Sequence, residues 1–78
     1  MKSSKYVEEH ELAALAKQHR LAAGKTKAEV ARAMGIKPPS MHHAEESPEQ
    51  SFTKLRCRII EAYSNLKVFG PFFRIDEK

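Results

Sequence analysis

The sequence predicts a mainly α-helical domain of four helices, closed by a short C-terminal β-strand or hairpin. Three observations carry this. Apolar residues recur at three- and four-residue spacing through the first two thirds of the chain. Gly24, Gly35 and the polar run 45–50 cut that pattern into four segments. From Leu66 onward the spacing loosens toward alternation, and three of the four Phe residues cluster there.

Residues 1–7 read as a flexible polar arm. The first helix covers 8–23, with Leu12, Leu15, His19 and Ala22 on its apolar side and Gly24 as the left-handed stop. Glu8, Glu9 and Glu11 at its start and Arg20 near its end complement the helix dipole. Thr26 is placed to cap the second helix, and Glu29, three residues on, completes a capping box. This helix covers 27–34 and ends at Gly35. It is about two turns long and depends on packing. Pro38-Pro39 opens the third helix, because a first turn has no use for the missing N–H groups. Its apolar positions are Met41 and Ala44. A polar loop, 45–50, leads to a fourth helix from Ser51 or Phe52 to Tyr63, with Leu55, Ile59, Ala62 and Tyr63 on one side. In the tail, Leu66, Val68 and Phe69 precede a Gly70-Pro71 turn or bulge, and Phe72 and Phe73 follow it. A lone hairpin is marginal in water, so this tail needs its own helices, a second copy or another protein to pack against.

Seventy-eight residues make one domain with a modest core. Its expected organisation is an arm (1–7), a helical unit (8–64) and a β-tail (65–78). One cysteine, Cys57, excludes an intramolecular disulfide. No apolar run approaches the roughly 20 residues of a membrane span, and no signal peptide is evident, which predicts a soluble cytoplasmic protein. The net charge of +4 suits a polyanionic partner. No acidic residue occurs between Ile36 and Ala44, whereas Lys37, His42 and His43 do.

Two short helices joined by a tight turn must meet at a steep angle, the helix-turn-helix arrangement. Gly35 supplies the positive φ that the turn needs. Ala31 is small enough for close approach. Val30, Met34, Ile36, Met41 and Ala44 point into the angle. This stretch, Gly24-Lys25-Thr26-Lys27-Ala28-Glu29-Val30-Ala31-Arg32-Ala33-Met34-Gly35-Ile36, resembles the helix-turn-helix family of phage repressors and Cro-like regulators. The resemblance covers roughly 12–63 and implies a lambda-repressor-like domain. It further implies that Arg20 pairs with Glu45, tying the first helix to the recognition helix. The region from Thr53 through the strand at Leu66 is similar to a subgroup with a C-terminal β-tail, several members of which are antitoxin-like or autoregulatory repressors. Lys27 stands where the family has Gln, and His19 where it has Leu. Pro38-Pro39 is unusual for it, and Tyr63-Ser64-Asn65 replaces a Gly-rich segment.

The implied function is a nucleoid-associated transcriptional regulator, a repressor, that recognises specific double-stranded DNA as a homodimer, with residues 8–64 binding DNA through the third helix in the major groove and residues 65–78 dimerising. Lys37, Ser40, His42 and His43 would read base edges, with Pro39 beside Pro38 offering an apolar surface to a thymine methyl. Thr26 and Lys27 would meet phosphate. Leu66, Val68, Phe69, Phe72 and Phe73 would form the dimer contact. Lys54, Arg56 and Arg58 offer either a second phosphate contact or a solvated face. The alternative is an antitoxin or adaptor that binds a partner protein through its aromatic tail. His42 and His43 project about 100° apart on a helix and do not readily share a metal. No metal, cofactor, membrane or catalytic role is expected.

Overall fold

The computed structural model describes residues 4–69 and 74–78. The order of elements is β1 (Ser4–Tyr6), α1 (Glu9–Ala22), α2 (Lys27–Met34), α3 (Pro38–Glu46), α4 (Thr53–Ala62), β2 (Leu66–Phe69) and β3 (Arg74–Glu77). The four helices fall where the spacing places them, with ends shifted by one or two residues. Glu8 and Ala23 cap α1 rather than belonging to it, and Phe52 and Tyr63 flank α4. The expected loop at Glu45 and Glu46 is instead the last turn of α3.

Glycine ends two helices in the same way. Gly24 has φ +72° and Gly35 has φ +66°. Beyond each, a backbone N–H reaches five residues back: Lys25 to the Arg20 carbonyl (3.2 Å) and Ile36 to the Ala31 carbonyl (2.9 Å). These 6→1 bonds satisfy carbonyls that a helix end would otherwise leave open. No heavy atom beyond the chain neighbours lies within 4 Å of where a Cβ would sit at either glycine, so φ alone selects the residue.

The core joins every layer. Leu12 and Ala16 of α1, Val30 and Ala31 of α2, Met41 and Ala44 of α3, and Ile59 and Ile60 of α4 form one buried cluster with Val7 and Ile75. Each of the larger chains contributes about 1.5–3 kcal/mol relative to exposure. Two residues expected on apolar faces, Ala22 and Ala62, are exposed, and His19 is half-buried. The buried stripe of α1 passes through Ala13, Ala16 and Arg20 instead. This orientation brings Arg20 to Glu45 in the interior and keeps Leu12 fully buried.

The N-terminal residues do not form a flexible arm over the described range. Ser4–Tyr6 pairs antiparallel with β3, and Val7 is only 5% exposed. β3 also pairs antiparallel with β2, giving a three-stranded sheet in the order β1-β3-β2. The partner that the β-tail needs is therefore the start of the same chain together with the helices. Leu66, Val68 and Ile75 face the core, while Lys67 and Phe69 face outward. Phe72 and Phe73 lie outside the described residues. The outer edge of β2 is closed by α4 and its end: Leu66 N–H donates to Ser64 Oγ (3.1 Å) and Val68 N–H to Glu61 Oε2 (2.9 Å). Among the described residues no helix is long and apolar enough to cross a membrane.

Candidate nucleic-acid interface

The geometry of the candidate face starts from an ion pair inside the protein. Arg20 of α1 and Glu45 of α3 are each 5% exposed. Arg20 Nε donates to Glu45 Oε2 at 2.6 Å and Nη2 donates to Oε1 at 2.9 Å. The fork is bidentate, the geometry that planar guanidinium and carboxylate groups favour. Nη1 donates to the Lys25 carbonyl at 2.7 Å, so one side chain also pins the α1–α2 loop. Hydrogen bonding to Glu45 raises the guanidinium pKa above its ordinary value, against the opposing effect of burial. The structure thus joins the two residues that the resemblance pairs. With Ala31 buried and Gly35 turning the chain, this pair fixes how α3 sits on α1 and α2.

α2 begins as a capped helix. Thr26 Oγ accepts from Glu29 N–H (3.1 Å), and Thr26 N–H donates to Glu29 Oε1 (2.9 Å). These bonds hold the Glu29 carboxyl below its ordinary pKa. Thr26 is therefore occupied as a cap. The N–H groups of Lys27 and Ala28 remain without intrahelical acceptors, as a first turn requires. Lys27 is half-buried and lies at the foot of α3, where its Nζ stands 3.3 Å from His42 Nδ1. An ammonium only donates, so Nδ1 is the acceptor.

On α3, burial of Met41, Ala44 and Glu45 turns the opposite side outward. Lys37, Pro38, Pro39 and His42 are exposed there, and Ser40 is half-buried. Lys37 is the residue before the helix, with extended backbone, and the prolines occupy its first two positions. His43 goes elsewhere. Its ring stacks on Phe52 with centroids 6.1 Å apart, and its Nδ1 lies 3.0 Å from Ser47 Oγ. Of the eight residues expected to contact DNA, Lys37, Pro38, Pro39 and His42 are exposed, Ser40 and Lys27 are half-buried, and Lys27 meets His42. Thr26 and His43 are tied mainly into the protein's own structure.

Arg56 departs furthest from its sequence-level alternatives. It is neither a phosphate contact nor part of a solvated face, because it is fully buried. Nε donates to the Ala44 carbonyl and Nη2 to the Ser47 carbonyl, both at 2.8 Å. It closes the C-terminal end of α3 from inside, where a cation also meets the negative end of the helix dipole. Burial lowers its pKa, partly offset by Glu9 and Glu49. Its hydrophobic neighbours at i+3 and i+4, Ile59 and Ile60, were the available signal that position 56 faces inward. Arg58 and Lys54 are exposed. Cys57 is half-buried, and desolvation raises its pKa, which disfavours the reactive thiolate.

Lys17 is the residue that sequence reasoning missed. It donates to Glu46 Oε1 at 2.9 Å, next to Lys27 at 3.4 Å from the same oxygen. The signal was present: Lys17 and Arg20 are three apart on α1, so a helix that meets Glu45 through Arg20 meets Glu46 one turn earlier. Glu8, His10 and Glu11 bring potential ligand atoms within 4.8 Å of one another. Glu8 and Glu11 are the capping box of α1, where Glu8 N–H donates to Glu11 Oε1 at 3.1 Å, and His10 Nδ1 lies 3.3 Å from Glu8 Oε2. No family model matches the chain, and neither a curated protein nor a solved structure matches it.

Proposed function

We propose that the protein is a sequence-specific DNA-binding regulator of the phage-repressor helix-turn-helix type, acting as a homodimer and carrying no catalytic step. The observation that supports this best is the α2–turn–α3 unit clamped by the buried Arg20–Glu45 fork. It leaves Lys37, Pro38, Pro39, Ser40 and His42 on the N-terminal half of α3, with His42 beside Lys27 of the first turn of α2. A helix with its N-terminal end exposed in this way can enter a major groove while the first turn of the preceding helix meets the backbone. Fluorescence anisotropy with labelled duplex DNA tests the reading. Binding should weaken steeply as salt rises. Lys27→Ala should weaken all duplexes alike and lower the salt slope by about one. Ser40→Ala should instead relax sequence preference. Absence of salt-dependent binding overturns the proposal.

Dimerisation takes a revised surface. Leu66 and Val68 pack against the protein's own core and are not free to form a subunit contact. The outer face of the sheet presents Tyr6 (68% exposed) and Phe69 (37% exposed), in register on either side of Arg74. A second copy covering that face would supply the two-fold axis that a palindromic operator needs. The same aromatic pair supports the second reading, an antitoxin-like module with another protein on this face. Light scattering after size exclusion separates them: a dimer that Phe69→Ser reduces to monomer supports the first, and a monomer at all concentrations favours the second.

A further inference from the structure

Three helices contribute to one small charged cluster on the surface. Lys17 comes from α1, Lys27 from the first turn of α2, and Glu46 from the last turn of α3. Both ammonium groups are directed at one carboxylate oxygen, Glu46 Oε1, at 2.9 and 3.4 Å. Lys27 is also positioned by His42 Nδ1 at 3.3 Å. The cluster stays wet: the side chains of Lys17, Lys27 and Glu46 are 44%, 34% and 34% exposed.

Glu45 and Glu46 are neighbours in sequence with different tasks. Glu45 is buried and already ties α1 to α3 through Arg20. Glu46 links α1 and α2 to α3 a second time, at the surface, with its side chain 34% exposed. Its Oε1 sits between the ammonium groups of Lys17 and Lys27. A phosphodiester oxygen would be held by the same donors in the same way.

We propose that Lys17 and Lys27 form a clamp for a backbone phosphate, and that Glu46 is its built-in competitor, holding the two lysines in place until a phosphate displaces it. This rests on the DNA-binding reading given above, and adds Lys17 and Glu46 to the interface. The exchange sets affinity: the arriving phosphate must share the lysines with a carboxylate of its own sign. Removing that charge tightens binding to every sequence, because the contact is to backbone rather than to bases.

The test measures binding of a random-sequence labelled duplex to the full chain by anisotropy across a salt series, for wild type, Glu46→Gln, Lys17→Ala, the double variant and Glu77→Gln. Glu77 is exposed on β3, and its substitution makes the same change in net charge elsewhere. Far-UV circular dichroism confirms that each variant is folded. At low salt Glu46→Gln should bind about 3- to 10-fold tighter than wild type, the size expected when a like charge is removed from beside a phosphate. Glu77→Gln should gain less, Lys17→Ala should weaken binding, and Lys17→Ala should cancel most of the gain from Glu46→Gln. Equal gains for Glu46→Gln and Glu77→Gln overturn the clamp and leave DNA binding standing. No salt-dependent binding by wild type or any variant overturns the DNA-binding reading, and the clamp with it.

Discussion

Replacing Glu45 with alanine removes the acceptor for two of Arg20's three hydrogen bonds. The guanidinium stays behind, 5% exposed, with only the Lys25 carbonyl to satisfy it. Uncompensated buried charge of this kind costs about 3–5 kcal/mol. A domain of 78 residues has roughly 4–12 kcal/mol of total stability, so the variant should lie near the edge of folding. Replacing both partners with apolar residues of similar size, Arg20→Met with Glu45→Leu, removes the stranded charge as well as the pair. Its cost should be far smaller than that of either single change. Urea denaturation followed at 222 nm, arranged as a double-mutant cycle, gives the coupling energy directly. Additive single effects, or a Glu45→Ala loss below about 1 kcal/mol, would refute the reasoning, because they would mean the pair does not act as a desolvated unit.

The other predictions concern the turn, the buried arginine and acid pH. Gly35→Ala should cost about 1–2 kcal/mol from backbone strain alone, since no atom crowds the new Cβ; a thermal melt with a much larger loss would point to packing instead. Arg56→Met should cost about 1–3 kcal/mol, because the Ala44 and Ser47 carbonyls lose their donor, and a urea midpoint equal to wild type would contradict this. Glu29 is held below its ordinary pKa in the folded state, so the unfolded chain binds more protons as the solution becomes acid. Its contribution is present above the unfolded carboxylate pKa and disappears as pH falls through the folded value. Stability followed by urea titration should therefore fall over that window, and Glu29→Gln should make the fall shallower.

The sequence by itself determined the helices and the turns between them. Thr26 and Glu29 carry a capping box in their spacing, Gly24 and Gly35 mark left-handed stops, and Pro38-Pro39 can only open a helix. These are local signals, because a cap or a positive φ is decided within one turn of chain. The β-type tail was legible for the same reason, as alternation. What covers that tail was not legible. β1 is three residues long and pairs with β3 from the far end of the chain. Short polar strands have no periodicity to read, and their pairing depends on where the two termini meet. The tertiary structure alone also decided that Arg56 lies inside. Arg56 reads as a surface cation in the sequence, and becomes a buried donor because the carbonyls at the end of α3 need one where α4 crosses them. Glu45 and Glu46 look alike as letters. The resemblance already pairs Glu45 with Arg20; that the next residue, Glu46, turns to Lys17 and Lys27 at the surface follows from the angle between successive helical residues and the packing of α1 against α3.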